Sequence, residues 1–120
     1  MANRRLSNEE SQKLFRPLMR RIRNRLLKLS SGDPALLWAL RRKLAKELTY
    51  DERGTPMFRR KLKTLKRIEQ KGRCAKCPRR LPDRGAVLDR IEAMLGYTSE
   101  NTQLLCRRCD DEIQLERKFA

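Results

Sequence analysis

Residues 88–111 read LDRIEAMLGYTSENTQLLCRRCDD, and the CxxC pair near the end of that stretch decides how the C-terminal part of the chain folds. The pair is Cys106 and Cys109, and its counterpart is Cys74-Ala75-Lys76-Cys77, with 28 residues between the two. A CxxC turn presents two thiolates from one tight knuckle, and two knuckles complete a tetrahedral four-sulfur site. Such a site has no open coordination position. The spacing therefore predicts structural zinc held by Cys74, Cys77, Cys106 and Cys109. The competing redox role needs only one CxxC, in a βαβ setting that this sequence does not offer.

Working outward from the knuckles, Pro78, Pro82 and Gly85 precede a short apolar run, Ala86-Val87-Leu88. The run predicts one strand of a hairpin, ending at Asp89. Beyond the second knuckle, Asp111 to Leu115 predicts a short terminal helix. Knuckle, hairpin, knuckle and helix together make a treble-clef arrangement. Large apolar side chains are few from residue 73 onward, so a core alone would hardly fold this part. Structural zinc typically contributes ~10–16 kcal/mol to such a unit.

The part before the cysteines has a different composition. Residues 1–72 hold 21 Lys and Arg against 7 Asp and Glu, whereas residues 73–120 hold 10 against 8. The first part thus carries +14 of the net charge of +16. Ser7-Asn8-Glu9-Glu10 has the form of a capping box. Leu14, Leu18, Ile22, Leu26 and Leu29 follow at helical spacing, with Arg16, Arg20, Arg21, Arg23, Arg25 and Lys28 around them. Pro17 either kinks this helix or lies in its first turn. Gly32-Asp33-Pro34 opens a second helix, in which Leu37, Leu40, Leu44 and Leu48 form the apolar stripe beside Trp38. Gly54-Thr55-Pro56 opens a third, with Phe58, Leu62, Leu65 and Ile68 opposite Arg59, Arg60, Lys61, Lys63, Lys66 and Arg67; Gly72 ends it. The stripes are expected to pack these helices against one another.

The resulting expectation is a mainly α chain with a small zinc-bound α+β unit. A basic three-helix region covers residues 1–71 and a four-cysteine module covers 72–120. No run approaches the ~20 apolar residues of a membrane span. The N-terminus has no apolar segment of a secretory signal, and Glu9 and Glu10 count against an Arg-rich transit peptide. These features point to an intracellular, cytoplasmic setting, where four cysteines serve metal binding more often than disulfides. Three basic helices with so few acids to pair them suggest a face for a polyanion, DNA in preference to RNA. Aromatic residues make up only 5%, too few for a base-stacking platform, so backbone phosphate contact is favoured over single-strand stacking. An anionic membrane surface is the lesser alternative, since the apolar stripes are assigned to helix packing.

The stretches CAKC, LDRI, GYTSEN, TQLLCRRC and the following DD resemble the cysteine-bearing branch of the HNH nuclease family, over about residues 72–120. The resemblance implies a ββα treble-clef fold. It also implies that the Asp at the strand end and the later Asn hold a divalent cation, magnesium or manganese, against the scissile phosphate, while a neighbouring His activates water. Carried over, Asp89 and Asn101 take the cation-binding positions, and Asp110 stands where a His ligand often follows the last cysteine. Arg90 stands in the position of the base, and the chain has no histidine at all. Arginine stays protonated and cannot take a proton from water. The same residues also have structural readings. Asp89 would pair with Arg90 or cap a turn, Asn101 would cap a helix, and Asp110 would sit favourably at a helix N-terminus. Thr98-Ser99-Glu100 offers a cap or a substitute base.

The expectation from sequence is a zinc-stabilised nucleic-acid-binding protein without strong nuclease activity. Its phosphate contacts are Arg20, Arg21, Arg59, Arg60, Lys63, Arg90, Arg107 and Arg108, with Arg73, Lys76, Arg79 and Arg80 extending the surface. Two other readings remain open at this point: a metal-dependent endonuclease using Asp89 and Asn101, and a zinc module that docks another protein onto a nucleic-acid complex. The sequence leaves the oligomeric state open.

Overall fold

The structure is a computed structural model that describes residues 3–117; the outermost ends of the two expected regions, residues 1–2 and 118–120, lie outside the described residues. The chain forms two compact units, one of Arg4–Asp51 and the other from Glu52 onward.

The first unit is helical. Helix α1 spans Asn8–Glu10 and begins in the expected capping box: the Ser7 hydroxyl accepts from the Glu10 N–H, and the Glu10 carboxylate accepts from the Ser7 N–H. A π-helical stretch, Ser11–Phe15, joins α1 to helix α2, Arg16–Ser30. The Arg16 N–H reaches back five residues to the Ser11 carbonyl. Pro17, in the first turn of α2, has no N–H, and in a regular helix its ring presses on the carbonyl four residues back. The wider turn just ahead of it relieves that contact, so the proline neither breaks nor ends the helix. Ser31, in the left-handed conformation with φ 49°, closes α2. Helix α3, Pro34–Arg53, follows at once, with the Asp33 carboxylate accepting from the N–H groups of Ala35 and Leu36 at 3.0 and 3.2 Å.

One expectation for this unit is overturned. Leu14, Leu18, Leu29 and Leu48, assigned to helix packing, are exposed, and Ile22, Leu26, Leu37, Leu40 and Leu44 are only half-buried. Ser30 is the one buried residue of α2, and α3 has none. Helical periodicity shows which face of a helix is apolar but not whether a neighbour covers it.

The second unit has a core, and the cysteines lie in it. Helix α4, Pro56–Glu69, starts at Thr55, whose hydroxyl accepts from the Phe58 N–H at 3.2 Å. Gly54 before it has φ +72°, and a Cβ there would lie 2.8 Å from the Phe58 ring, so the turn requires glycine. Strands β1, Val87–Arg90, and β2, Thr102–Leu105, pair antiparallel, with Leu88 opposite Leu104 and Asp89 opposite Gln103. Helix α5 spans Arg107–Arg117. Cys74, Leu81, Ala86, Leu104, Leu105, Cys106 and Cys109 form the buried cluster, and Leu88 and Ile113 pack against it.

Helix α4, grouped at sequence level with the basic region, lies against β2 in this unit and has Leu62 and Lys66 buried. Gln70 just past its end explains the attachment. The Gln70 amide donates to the Leu104 carbonyl at 3.0 Å and accepts from the Leu104 N–H at 2.9 Å, as a neighbouring strand would. Two boundaries also differ from expectation. Strand β1 continues one residue past Asp89, and α5 begins at Arg107, inside the second knuckle, rather than at Asp111. The Asp110 N–H already bonds the Cys106 carbonyl at 3.0 Å, so the second cysteine pair straddles a helix start.

Candidate functional site

The first knuckle is held by backbone hydrogen bonds that sequence spacing alone does not specify. The Cys74 N–H donates to the Arg79 carbonyl, and Leu81 N–H to the Gly72 carbonyl, closing a tight loop around Cys77. The Ala75 N–H donates to the Leu104 carbonyl, which ties this loop to β2 immediately before the second knuckle. All four sulfurs then lie within 4.8 Å of one another, and none is in a disulfide. The Cys77 and Cys106 sulfurs are 3.7 Å apart. Four sulfurs at ~2.3 Å from a tetrahedral ion are ~3.8 Å from each other, so the cluster has the dimensions of a four-thiolate centre. It can hold a metal ion such as zinc.

The electrostatics also favour a cation. Burial acts to raise the Cys74 thiol, but N–H groups of Cys106, Lys76 and Cys77 pointing at its sulfur outweigh that and bring it down to about 6. Cys109 moves the other way. Its hydrogen bond with Cys106, then burial, then the Cys77 and Cys74 sulfurs hold its proton on. Four neighbouring thiolates cannot form together without a positive charge between them.

Asp89 sits across the hairpin from Gln103, and its side chain is almost wholly buried, at 2% exposure. Its charge is met by Arg117 rather than Arg90. The Arg117 guanidinium donates from Nη1 to Oδ1 at 2.8 Å and from Nη2 to Oδ2 at 3.0 Å, a bidentate fork, and also donates to the Arg90 carbonyl at 3.1 Å. Gln103 donates to the same carboxylate at 3.0 Å. The Gln114 amide bridges Asp89 and Asp110, at 3.4 and 3.1 Å. Asp89 and Asp110 are thus brought together, but with an arginine and two amides already filling the space around them. A divalent cation at Asp89 would have to displace a guanidinium.

Asn101 is engaged elsewhere. Its carbonyl accepts from the Glu92 N–H at 3.0 Å, and its amide donates to the carbonyls of Glu92 at 2.8 Å and Gly96 at 2.6 Å. These bonds clamp the 92–96 loop and use both ends of the side chain. Thr98 is likewise a turn cap, its hydroxyl accepting from the Asn101 N–H at 3.1 Å. Replacing Asn101 with aspartate keeps the acceptor but sets a carboxylate oxygen against two carbonyls. Urea denaturation should show a loss of about 2 kcal/mol or more. Unchanged stability would mean that the amide is not the clamp described.

The basic residues divide into two groups. Arg20, Arg21, Arg60 and Arg107 are exposed, and none is in an ion pair among the described residues; Lys63 is half-exposed and also unpaired there. Arg108 reaches Glu112 at 3.6 Å. Arg59 and Arg90, expected on the phosphate-facing surface, instead fold onto the protein. Arg59 donates to the Gly54 carbonyl at 2.8 Å, Arg90 to the Ala93 carbonyl at 3.2 Å, and the two guanidiniums lie over the Tyr97 ring, 5.8 and 4.9 Å from its centre. Arg90 is only 15% exposed at the side chain, which leaves it little reach.

Sequence reasoning missed Arg117, Gln114 and Gln103. The signal for the first two was present: Asp110, Gln114 and Arg117 share one face of α5 at helical spacing. Gln103 becomes visible only once the hairpin register is known. Comparisons of the chain with protein-family models, with curated proteins and with solved structures find no match. Among the described residues, no helix is long and apolar enough to cross a membrane.

Proposed function

We propose that this chain is a zinc-stabilised nucleic-acid-binding protein, with a treble-clef module of HNH-like descent that binds but does not cut with any strength. The observation that carries the binding is the basic face of α2. Arg16, Arg20, Arg21, Arg23, Arg25 and Lys28 are all exposed, and no carboxylate pairs with any of them among the described residues. Six cations left unneutralised on one helix of a +16 chain cost self-repulsion, and a phosphate backbone removes that cost. DNA is the preferred polyanion. Zinc, held by Cys74, Cys77, Cys106 and Cys109, keeps the module folded.

Two features support weak or absent cleavage. The position that the family gives to a base is filled by Arg90, which cannot accept a proton. The carboxylate that the family uses for its cation is filled by Arg117. Affinity for duplex DNA should fall steeply with salt, each neutralised phosphate contributing about −0.9 to the log–log slope. Replacing Arg20, Arg21, Arg60 and Lys63 with glutamine should flatten that slope by roughly one unit for each phosphate that is no longer neutralised. Binding that is absent at low salt, or indifferent to salt, overturns the proposal.

A further inference from the structure

We infer that Trp38 and Arg42 on α3 form a stacking contact for an unpaired nucleobase, so that the protein engages nucleic acid with single-stranded or looped-out positions and not uninterrupted duplex alone. The inference rests on the nucleic-acid reading above and adds to it a base contact and a class of target. The half-buried stripe of α3 is Leu37, Leu40 and Leu44. Trp38 lies one position on, about 100° around the helix, on a face shared with Arg42, Ala45 and Thr49. It is 62% exposed, so the ring is not there to pack. Leucine or lysine would serve an exposed helix position at least as well by propensity.

Arg42 lies over the ring, its guanidinium carbon 5.0 Å from the centroid. The contact holds the indole in one orientation, covers one face with a cation and leaves the rest of the ring open to water. Arg41 and Lys46 lie within about 80° of it around the helix, and of the acids near it in sequence Asp33 caps α3 while Glu47 is taken by Lys43 at 2.5 Å. An open aromatic face amid guanidinium and ammonium groups suits a base attached to a phosphate backbone, since any base can stack and the charges meet the phosphates. In an uninterrupted duplex the bases stack on each other and present no free face, which is why the contact selects unpaired positions. A membrane interface also takes Trp and Arg, but there the ring is joined by further apolar side chains on its own face. Here its neighbours three and four positions away are Pro34, Ala35, Arg41 and Arg42, none of them a large apolar side chain.

Trp38 is the only tryptophan, so the intrinsic fluorescence of the full chain reports on this ring alone. Titration with oligothymidylate should quench the emission, whereas a blunt duplex of matching length should leave it nearly unchanged. In anisotropy titrations with labelled strands, Trp38→Leu should bind the single strand about tenfold more weakly and Trp38→Phe should recover most of that loss, with duplex affinity the same in all three. Emission unmoved by the single strand, or Trp38→Leu binding it as tightly as wild type, overturns the inference; if salt-dependent duplex binding persists, the broader reading stands without it. A chain that binds neither strand nor duplex defeats both. A response to phosphatidylserine vesicles but not to oligothymidylate overturns the inference in favour of a membrane surface.

Discussion

Replacing Cys77 with serine is expected to unfold the part of the chain that follows α4, and chelating the metal should do the same. The reason lies in how little else holds it. Its buried cluster is three leucines, an alanine and three of the four cysteines, and the knuckle loops are joined to β2 by the Ala75 hydrogen bond and by Gln70. A structural zinc centre typically supplies ~10–16 kcal/mol, which is more than the whole stability of a small domain. Cys77 is the least buried ligand, so serine there makes no cavity and tests the bond to the metal rather than packing. Hydrogen exchange of the Ala75, Leu104 and Leu105 amides is the readout. Loss of protection in the variant and after chelation is the expected result. Full protection in metal-free protein would show that the cysteines are ordinary core residues.

The second large effect is expected at Arg117. Replacing it with methionine removes the fork from Asp89 and leaves a carboxylate at 2% exposure with only amide partners. Breaking a buried pair from one side commonly costs 3–5 kcal/mol; with Arg117 itself 30% exposed, about 2–4 kcal/mol is expected here. Adding Asp89→Asn to the same chain should recover much of the loss, because an amide is far cheaper to bury than a lone charge. Urea denaturation of the two single variants and the double variant measures the coupling. A neutral Arg117→Met would mean that the fork contributes nothing to stability.

What could be read from the sequence was whatever depends on local chemistry. The knuckle spacing identified the four cysteines that the structure brings together, and the side chains of Ser7, Asp33 and Thr55 cap the helices they precede. What escaped depends on the third dimension. The leucines of α2 and α3 announce an apolar face, yet no neighbour in their own unit buries it. The attachment of α4 to β2 turns on Gln70, a residue with no periodic signature. Arg90 stands next to Asp89 in sequence, which makes it the obvious partner, but successive residues of a strand point to opposite faces. The fork comes instead from Arg117, 28 positions on, whose helix returns to β1. The sequence pattern drew attention to Asp89 and could not show that Arg117 is its partner.

Binding without cutting is tested most directly by one gel. Supercoiled plasmid is incubated with the intact, metal-loaded chain at low salt with added magnesium or manganese, and half of each sample is deproteinised before loading. Retarded plasmid is expected in the untreated lanes and unbroken supercoiled plasmid in the deproteinised ones, with cleavage absent or at the limit of detection. Nicked or linear plasmid that depends on the added metal and disappears with Asp89→Ala would contradict this and make the chain an endonuclease.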